Sequence, residues 1–354
     1  MTIQRLQQVQ KSLAADQALL VEDRINTLYF IDKEISAGRL IFTADEVYLF
    51  ADGRYYQQLL STPGVQVVLW TGESWKEFLR TKIPHIKRLE FSSTAISYAR
   101  YEELSKEFSG QLIPIKNRLE RIRCIKDTQE IQKMKEAAAL GCEGFNYLCT
   151  LLKDGVTEKN LAAELEIYWR RHGAQSCAFP PIIAFGENSA YPHYRPGDRK
   201  LKKGDTVLID IGVTLNNYHS DMTRVVFYGK PSDKMKEIYE IVQQAQEAAE
   251  KEVRSGITVG ALDTIARDII TKANYGKNFS HGLGHGIGLD VHEIPSVRST
   301  GDEANFLLEP GMFITIEPGI YIPEIGGVRI EDTVLVTDKG YENLTLTDKN
   351  LCVI

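Results

Sequence analysis

The chain has 354 residues, 43% of them hydrophobic and 25% charged, with a formal net charge of −6. That length predicts two domains, and the acidic balance argues against a nucleic-acid footprint. No run of about 18 apolar residues is present to span a membrane, and the five cysteines (Cys124, Cys142, Cys149, Cys177, Cys352) lack CxxC spacing, which reads as buried free thiols in a reducing cytoplasm.

In chain order, MTIQRLQQVQKSLAADQ patterns as an amphipathic helix without the long apolar segment of a signal peptide. Up to about Ile115, strand-like stretches (ALLVE, RLIFT, EVYLFAD, VQVVLWTG, RLEFSS, QLIPI) alternate with helical ones such as SWKEFLRTKI and ARYEELSKEF. This alternation predicts a small mixed α/β domain over residues 1–120. It holds few candidate catalytic groups, and DGRYYQQL reads as a surface turn entering a helix.

Residues 121–354 change character. Asp127 and Glu130 are spaced as a capping box ahead of a long helix reaching about Lys153. A second helix follows DGVTEKNLAAEL, and a strand pair follows around TVLIDIGVTLNNYHSDMTRVVFYG. Two more helices (DKMKEIYEIVQQAQEAAEKEV, and another after SGITVGALDTI) precede a second strand pair around GMFITIEPGIYIPEIGGVRIEDTVLVT. Gly155-Val156-Thr157 and Leu161 match Gly256-Ile257-Thr258 and Leu262, each at the turn between two helices. The expectation is a duplicated α-α-β-β unit, an α+β domain whose two halves pack their strands as one curved sheet with helices outside.

Between these strand pairs lies HGLGHGIGLDVHE, residues 281–293, which holds three of the seven histidines and a glycine at every second position from Gly282 to Gly288. Four glycines would melt a helix. They suit an extended segment approached closely by other backbone, in which His281 and His285 share a face. In TVLIDIGV, Val207, Ile209, Ile211 and Val213 share one face and Asp210 points the other way. A turn at Asn216-Asn217 sets Asp210 against Thr223, with Asp221 on the same face. The second strand pair brings Glu317 to a strand end and Arg329 and Glu331 onto one face. Any one of these acids would pass for half of a surface salt bridge. Four of them on apolar-flanked symmetric hairpins, with an imidazole between, suit two divalent ions such as Mn, Co, Fe or Zn.

DIGVTLNNYHSDMTR, HGLGHGIGLDVHE, IEPGIYIP and GGVRIEDT, in this order, resemble the proline-specific aminopeptidases and dipeptidases of the pita-bread metallopeptidases, family M24. The first half resembles the smaller N-terminal domain of aminopeptidase P, prolidase and creatinase. EDRINTLYFIDKEISAG follows that domain's pattern only loosely. The resemblance implies five metal ligands, Asp210, Asp221, His285, Glu317 and Glu331, holding two ions bridged by a hydroxide. It also implies that Glu317 shuttles a proton to the leaving amine. His281, His292 and His193 would steady the substrate, with a Tyr321–Arg329 pair beside the metals. His219 reads as a local structural group, His85 and His172 as surface or packing residues.

The function so implied is hydrolysis of the bond between an N-terminal residue and a following proline, in a homodimer. The overall pattern, YLFADGRYYQQ included, resembles short bacterial aminopeptidase P sequences and points to an Xaa-Pro aminopeptidase, with an Xaa-Pro dipeptidase as the alternative. A peptidase-like binding module or creatinase-like chemistry would be expected to lose ligands that are all present here.

Overall fold

The computed structural model describes residues 2–354 and divides into two compact units, Met1–Arg123 and Cys124–Ile354. The first is a six-stranded mixed sheet. Its strands lie in the order Gln66–Leu69, Val47–Ala51, Arg39–Phe42, Gln17–Val21, Arg88–Ser92 and Gln111–Ile115. The three at the centre of the order pair antiparallel, and the flanking ones join in parallel. EDRINTLYF, a loose match in sequence, is the helix Arg24–Ile31, started by Asp23, whose side chain accepts from the Asn26 amide.

In the second unit the expected duplication extends to individual hydrogen bonds. Asp127 caps the helix Thr128–Leu151 in a complete capping box with Glu130. Thr157 caps Glu158–Arg171 and Thr258 caps Val259–Lys272. Before each cap stands a glycine at φ 81°, Gly155 or Gly256, a conformation costly for residues with a Cβ. The Gly155 amide donates to the Leu201 carbonyl and the Gly256 amide to the Leu308 carbonyl, at 3.0 and 2.9 Å. Leu161 and Leu262 are both fully buried.

The strands differ from the expected single curved sheet. Their ladders form a four-stranded sheet around Thr206–Ile211 and Met222–Phe227, a five-stranded sheet around Phe313–Ile316 and Asp332–Thr337, and smaller two- and three-stranded sheets. Each hairpin strand breaks part-way, at Gly212, Ser220–Asp221, Glu317–Pro318 and Ile330–Glu331, and its two segments enter different sheets. Ile209 and Ile211 pack in the cluster with Leu161 and Leu165, whereas Leu208 packs with Ile238 and Val242. Burial on both faces excludes water from Asp210, which shares the Leu208 face.

The histidine-rich run is extended only over Gly284–Gly286, between the strands Glu293–Val297 and Phe313–Ile316. A Cβ on Gly284 would stand 2.0 Å from the Thr315 carbonyl oxygen, and one on Gly286 2.3 Å from that of Ile294. Close backbone approach, rather than flexibility, is what the alternating glycines serve. The cysteines depart from expectation: all five are free, but only Cys124 is buried and Cys352 is exposed. No helix among the described residues is long and apolar enough to cross a membrane. Gly284→Ala should cost about 1–3 kcal/mol through forced strand separation, read from the urea midpoint. An unchanged midpoint would show that the sheet yields at this point.

Candidate active site

The first hairpin reverses at its two asparagines. Asn216 and Asn217 take φ of 50° and 68° between the paired residues Leu215 and Tyr218, a turn whose twist suits antiparallel strands. The register places Asp210 opposite Thr223. Asp221, in the break before Met222, comes into the same cluster. The second hairpin contributes Glu317 and Glu331 at its own breaks. Ligand atoms of Asp221, His285 and Glu331 lie within 4.8 Å of one another. His285 Nε2 is 3.6 Å from Asp221 Oδ2 and 3.5 Å from Glu317 Oε1. Asp210 enters through Arg329, which donates to its Oδ2. The other carboxylate oxygen, Asp210 Oδ1, is buried without a hydrogen-bond partner.

Burial shapes the electrostatics. It raises the carboxyl groups of Asp221 and Glu331 well above the usual range, and the charges of neighbouring acids add to the effect. Burial also pushes Glu317 up to about 8 against the pull of Arg329. On Arg329 burial works the other way, but Tyr321 and the surrounding carboxylates more than offset it and hold the guanidinium charged. His285 falls to about 4, first through burial and then through His292. His285 is therefore neutral near pH 7, and its short contacts to Asp221 and Glu317 are not ion pairs. Its Nδ1 stands 3.0 Å from the Gly286 carbonyl and must donate there, leaving the Nε2 lone pair aimed at carboxylates. A lone pair facing buried acid oxygens, with an unpartnered Asp210 Oδ1 beside them, is a donor set that fits a divalent cation.

A second chain of hydrogen bonds flanks the acids. Arg329 donates from Nη1 to Tyr321 Oη at 2.7 Å and from Nε to Thr223 Oγ1 at 3.1 Å. Tyr321 Oη lies 2.9 Å from His281 Nε2. The His281 ring, brought down to about 4 by burial and then by Arg329, donates from Nδ1 to the Gly282 carbonyl and accepts from the phenol. His292 is exposed, with its ring edge-on to His285 at 4.4 Å. His193 is exposed. His219 bonds the Gly288 carbonyl, His172 stacks on Tyr168, and His85 is exposed.

Residues 132–338 match the model of metallopeptidase family M24, and residues 3–125 match that of the creatinase/prolidase N-terminal domain. The chain belongs to metallopeptidase family M24. It is 37% identical over 336 residues to an Xaa-Pro dipeptidase of Pyrococcus horikoshii, covering 94% of each chain. An Xaa-Pro dipeptidase structure from Bacillus anthracis superposes with a TM-score of 0.93 at 35% identity, covering 100% of this chain and 99% of the other. An X-Pro aminopeptidase structure from Thermotoga maritima gives 0.89 at 33% identity, covering 98% and 100%. The fold is thus the pita-bread fold of M24, preceded by a creatinase-type N-terminal domain.

Two threonines bond the acids, Thr223, expected only as the register partner of Asp210, and Thr315, passed over in the sequence. Thr223 Oγ1 donates to Glu331 Oε2 at 2.6 Å, and Thr315 Oγ1 lies 3.3 Å from Glu317 Oε1 while accepting from the His285 amide. Both stand at even spacing from an acid, a signal of shared face that their neutral side chains obscured.

The raised Glu317 carboxyl has a signed consequence in metal-free protein. Between its ordinary 4.5 and about 8 the folded state holds this proton more tightly than the unfolded state. The associated stability is fully present below 4.5 and is lost as pH rises through about 8. Relative to Glu317→Gln, chelated protein should therefore lose thermal stability over that interval, and saturating Mn(II) should remove the difference. Parallel Tm curves for the chelated proteins would show that Glu317 does not titrate there.

Proposed function

We propose that this chain is an Xaa-Pro dipeptidase working with two divalent ions, Mn(II) foremost and Co, Fe or Zn as alternatives, bound by Asp210, Asp221, His285, Glu317 and Glu331. The observation that carries the metal reading is the neutral His285 Nε2 turned toward buried carboxylates. When bound, such ions lower the pKa of coordinated water toward neutrality and polarise the scissile carbonyl. Glu317, with a proton affinity near the working pH, is suited to pass a proton from water to the leaving prolyl nitrogen. Arg329 holds Asp210 by a hydrogen bond and, through Tyr321, orients His281 toward the substrate carbonyl. His193 and His292, both exposed, are free to hold the peptide.

The substrate is a peptide with proline at its second position. The aminopeptidase expectation rested on the overall sequence pattern, one stretch of the N-terminal domain included. The Pyrococcus and Bacillus relatives, which span this chain almost end to end, carry the dipeptidase name and outweigh that pattern. The Thermotoga structure keeps the aminopeptidase as the second reading. On the dipeptidase reading, kcat/KM for Xaa-Pro exceeds that for Xaa-Pro-Xaa-Xaa by about tenfold or more at one Mn(II) concentration. The reverse order would return the assignment to aminopeptidase.

The ligand assignment has its own test in metal content. Asp221→Asn and His285→Ala should each lose metal and abolish turnover while keeping the fold. His281→Ala and His292→Ala should retain both ions and lose kcat by roughly 10²–10³-fold, as expected for groups acting mainly on the transition state. Equal metal loss in all the histidine variants would mean that the wrong imidazole has been chosen.

A further inference from the structure

The acidic cluster straddles a seam between the two pseudo-symmetric hairpins. On the cluster side, besides the Arg329 bonds to Asp210 and Thr223, three further hydrogen bonds cross it. Thr223 Oγ1 donates to Glu331 Oε2 at 2.6 Å, the Glu331 amide to the Thr223 carbonyl at 3.1 Å, and Thr333 Oγ1 to the Asp221 carbonyl at 2.8 Å. Strand parity turns the next residues, Arg224 and Asp332, to the opposite face. There Arg224 Nη2 donates to Asp332 Oδ1 at 2.6 Å, and Arg224 Nη1 donates to the Thr223 and Glu331 carbonyls. Arg224 is 1% exposed and Asp332 fully buried.

This pair is closed from behind by the C-terminal segment. Arg224 Nη2 also donates to the carbonyls of Thr345 and Thr347, each at 3.1 Å, and Thr345 Oγ1 to Asp332 Oδ1 at 2.6 Å. Lys349 Nζ bridges Asp332 Oδ2 at 2.6 Å and Glu250 Oε2. Two cations and two carboxylates thus neutralise one another in a layer behind the acids that is buried except at Lys349. Among the described residues, Arg224 meets the residues of the cluster through the backbone carbonyls of Thr223 and Glu331. Buried charge networks of this kind often contribute little net stability and serve instead to hold a geometry.

We infer that Arg224, Asp332 and the C-terminal Lys349 act as a positioning clamp that sets the spacing of Asp221 and Glu331 across the seam, and so tunes metal affinity from outside the site. Asp221 and Glu331 are carried by different hairpins, and the hydrogen bonds across the seam set the distance between them. Thr223 and Thr333 each contribute one side-chain bond. The Arg224 guanidinium adds charge-assisted bonds whose planar fork spans both strands, a shape that lysine lacks. The inference rests on the metal reading above.

The test is Mn(II) binding to chelated, refilled full-length protein, followed by electron paramagnetic resonance of the free ion, with no substrate present. Arg224→Lys keeps the charge and loses the fork. It should raise the Mn(II) Kd at least about tenfold and, at saturating metal, lower kcat more than it changes KM. Lys349→Met, at the partly exposed end of the network, should weaken Mn(II) binding by a smaller factor, and Lys349→Arg should restore it. If Arg224→Lys does not fold, the two Lys349 variants decide by the same isotherm. Variants with a lowered metal-free Tm but an unchanged Mn(II) Kd would overturn the clamp and leave a purely structural network. A wild-type chain that binds no Mn(II) would instead sink the metal reading, and the clamp with it.

Discussion

Like charge confined in a dry place is the constraint on which this molecule depends. Four acids, Asp210, Asp221, Glu317 and Glu331, gather where strands are covered on both faces. In water such a cluster would disperse. Here Asp221, Glu317 and Glu331 are fixed at strand breaks and Asp210 within a strand paired on both sides, so the backbone prevents retreat. The arrangement costs free energy in the metal-free state, as the raised proton affinities of Asp221, Glu317 and Glu331 record. A divalent ion returns part of that cost on binding.

Duplication makes the constraint easier to meet. Two similar α-α-β-β units present their hairpins to one another, so one kind of kinked strand supplies acids from both sides of the seam. The copies have diverged in what they contribute. The first brings two aspartates and a threonine bridge. The second brings two glutamates together with Tyr321 and Arg329, and their one fixed cation holds Asp210 in place. The His285 strand, thinned by glycine, lies close enough to the Thr315 backbone to bring its imidazole among the acids. The candidate site of this chain therefore rests on backbone proximity as much as on residue type.

Much of this was legible in the chain itself, for reasons that are local. Strand alternation put Asp210 opposite the face of Val207, Ile209 and Ile211, and the Asn-Asn pair located the turn, so the pairing of Asp210 with Thr223 follows from counting. The capping box at Asp127 and the twin Gly-x-Thr turns followed from hydrogen-bonding needs met within a few residues. Less visible were the sheet breaks, because a kink at Ser220 or Ile330 answers to packing on elements far away in sequence. Exposure of Cys352 was hidden for the same kind of reason, since burial of a thiol depends on what covers it.

The sequence by itself determined the periodicities, the turns, the duplicated order of elements and the residue types of the candidate site. These are properties of neighbours, governed by side-chain parity, backbone dihedrals and capping. Only the tertiary structure decided which groups meet across the seam. It set His285 as a neutral lone-pair donor, left Asp210 Oδ1 without a partner, and closed Arg224 and Asp332 behind the acids with the C-terminal Lys349. Those outcomes depend on desolvation and on contacts between residues about a hundred positions apart, such as Arg224 and Asp332, and neither is encoded in any local pattern.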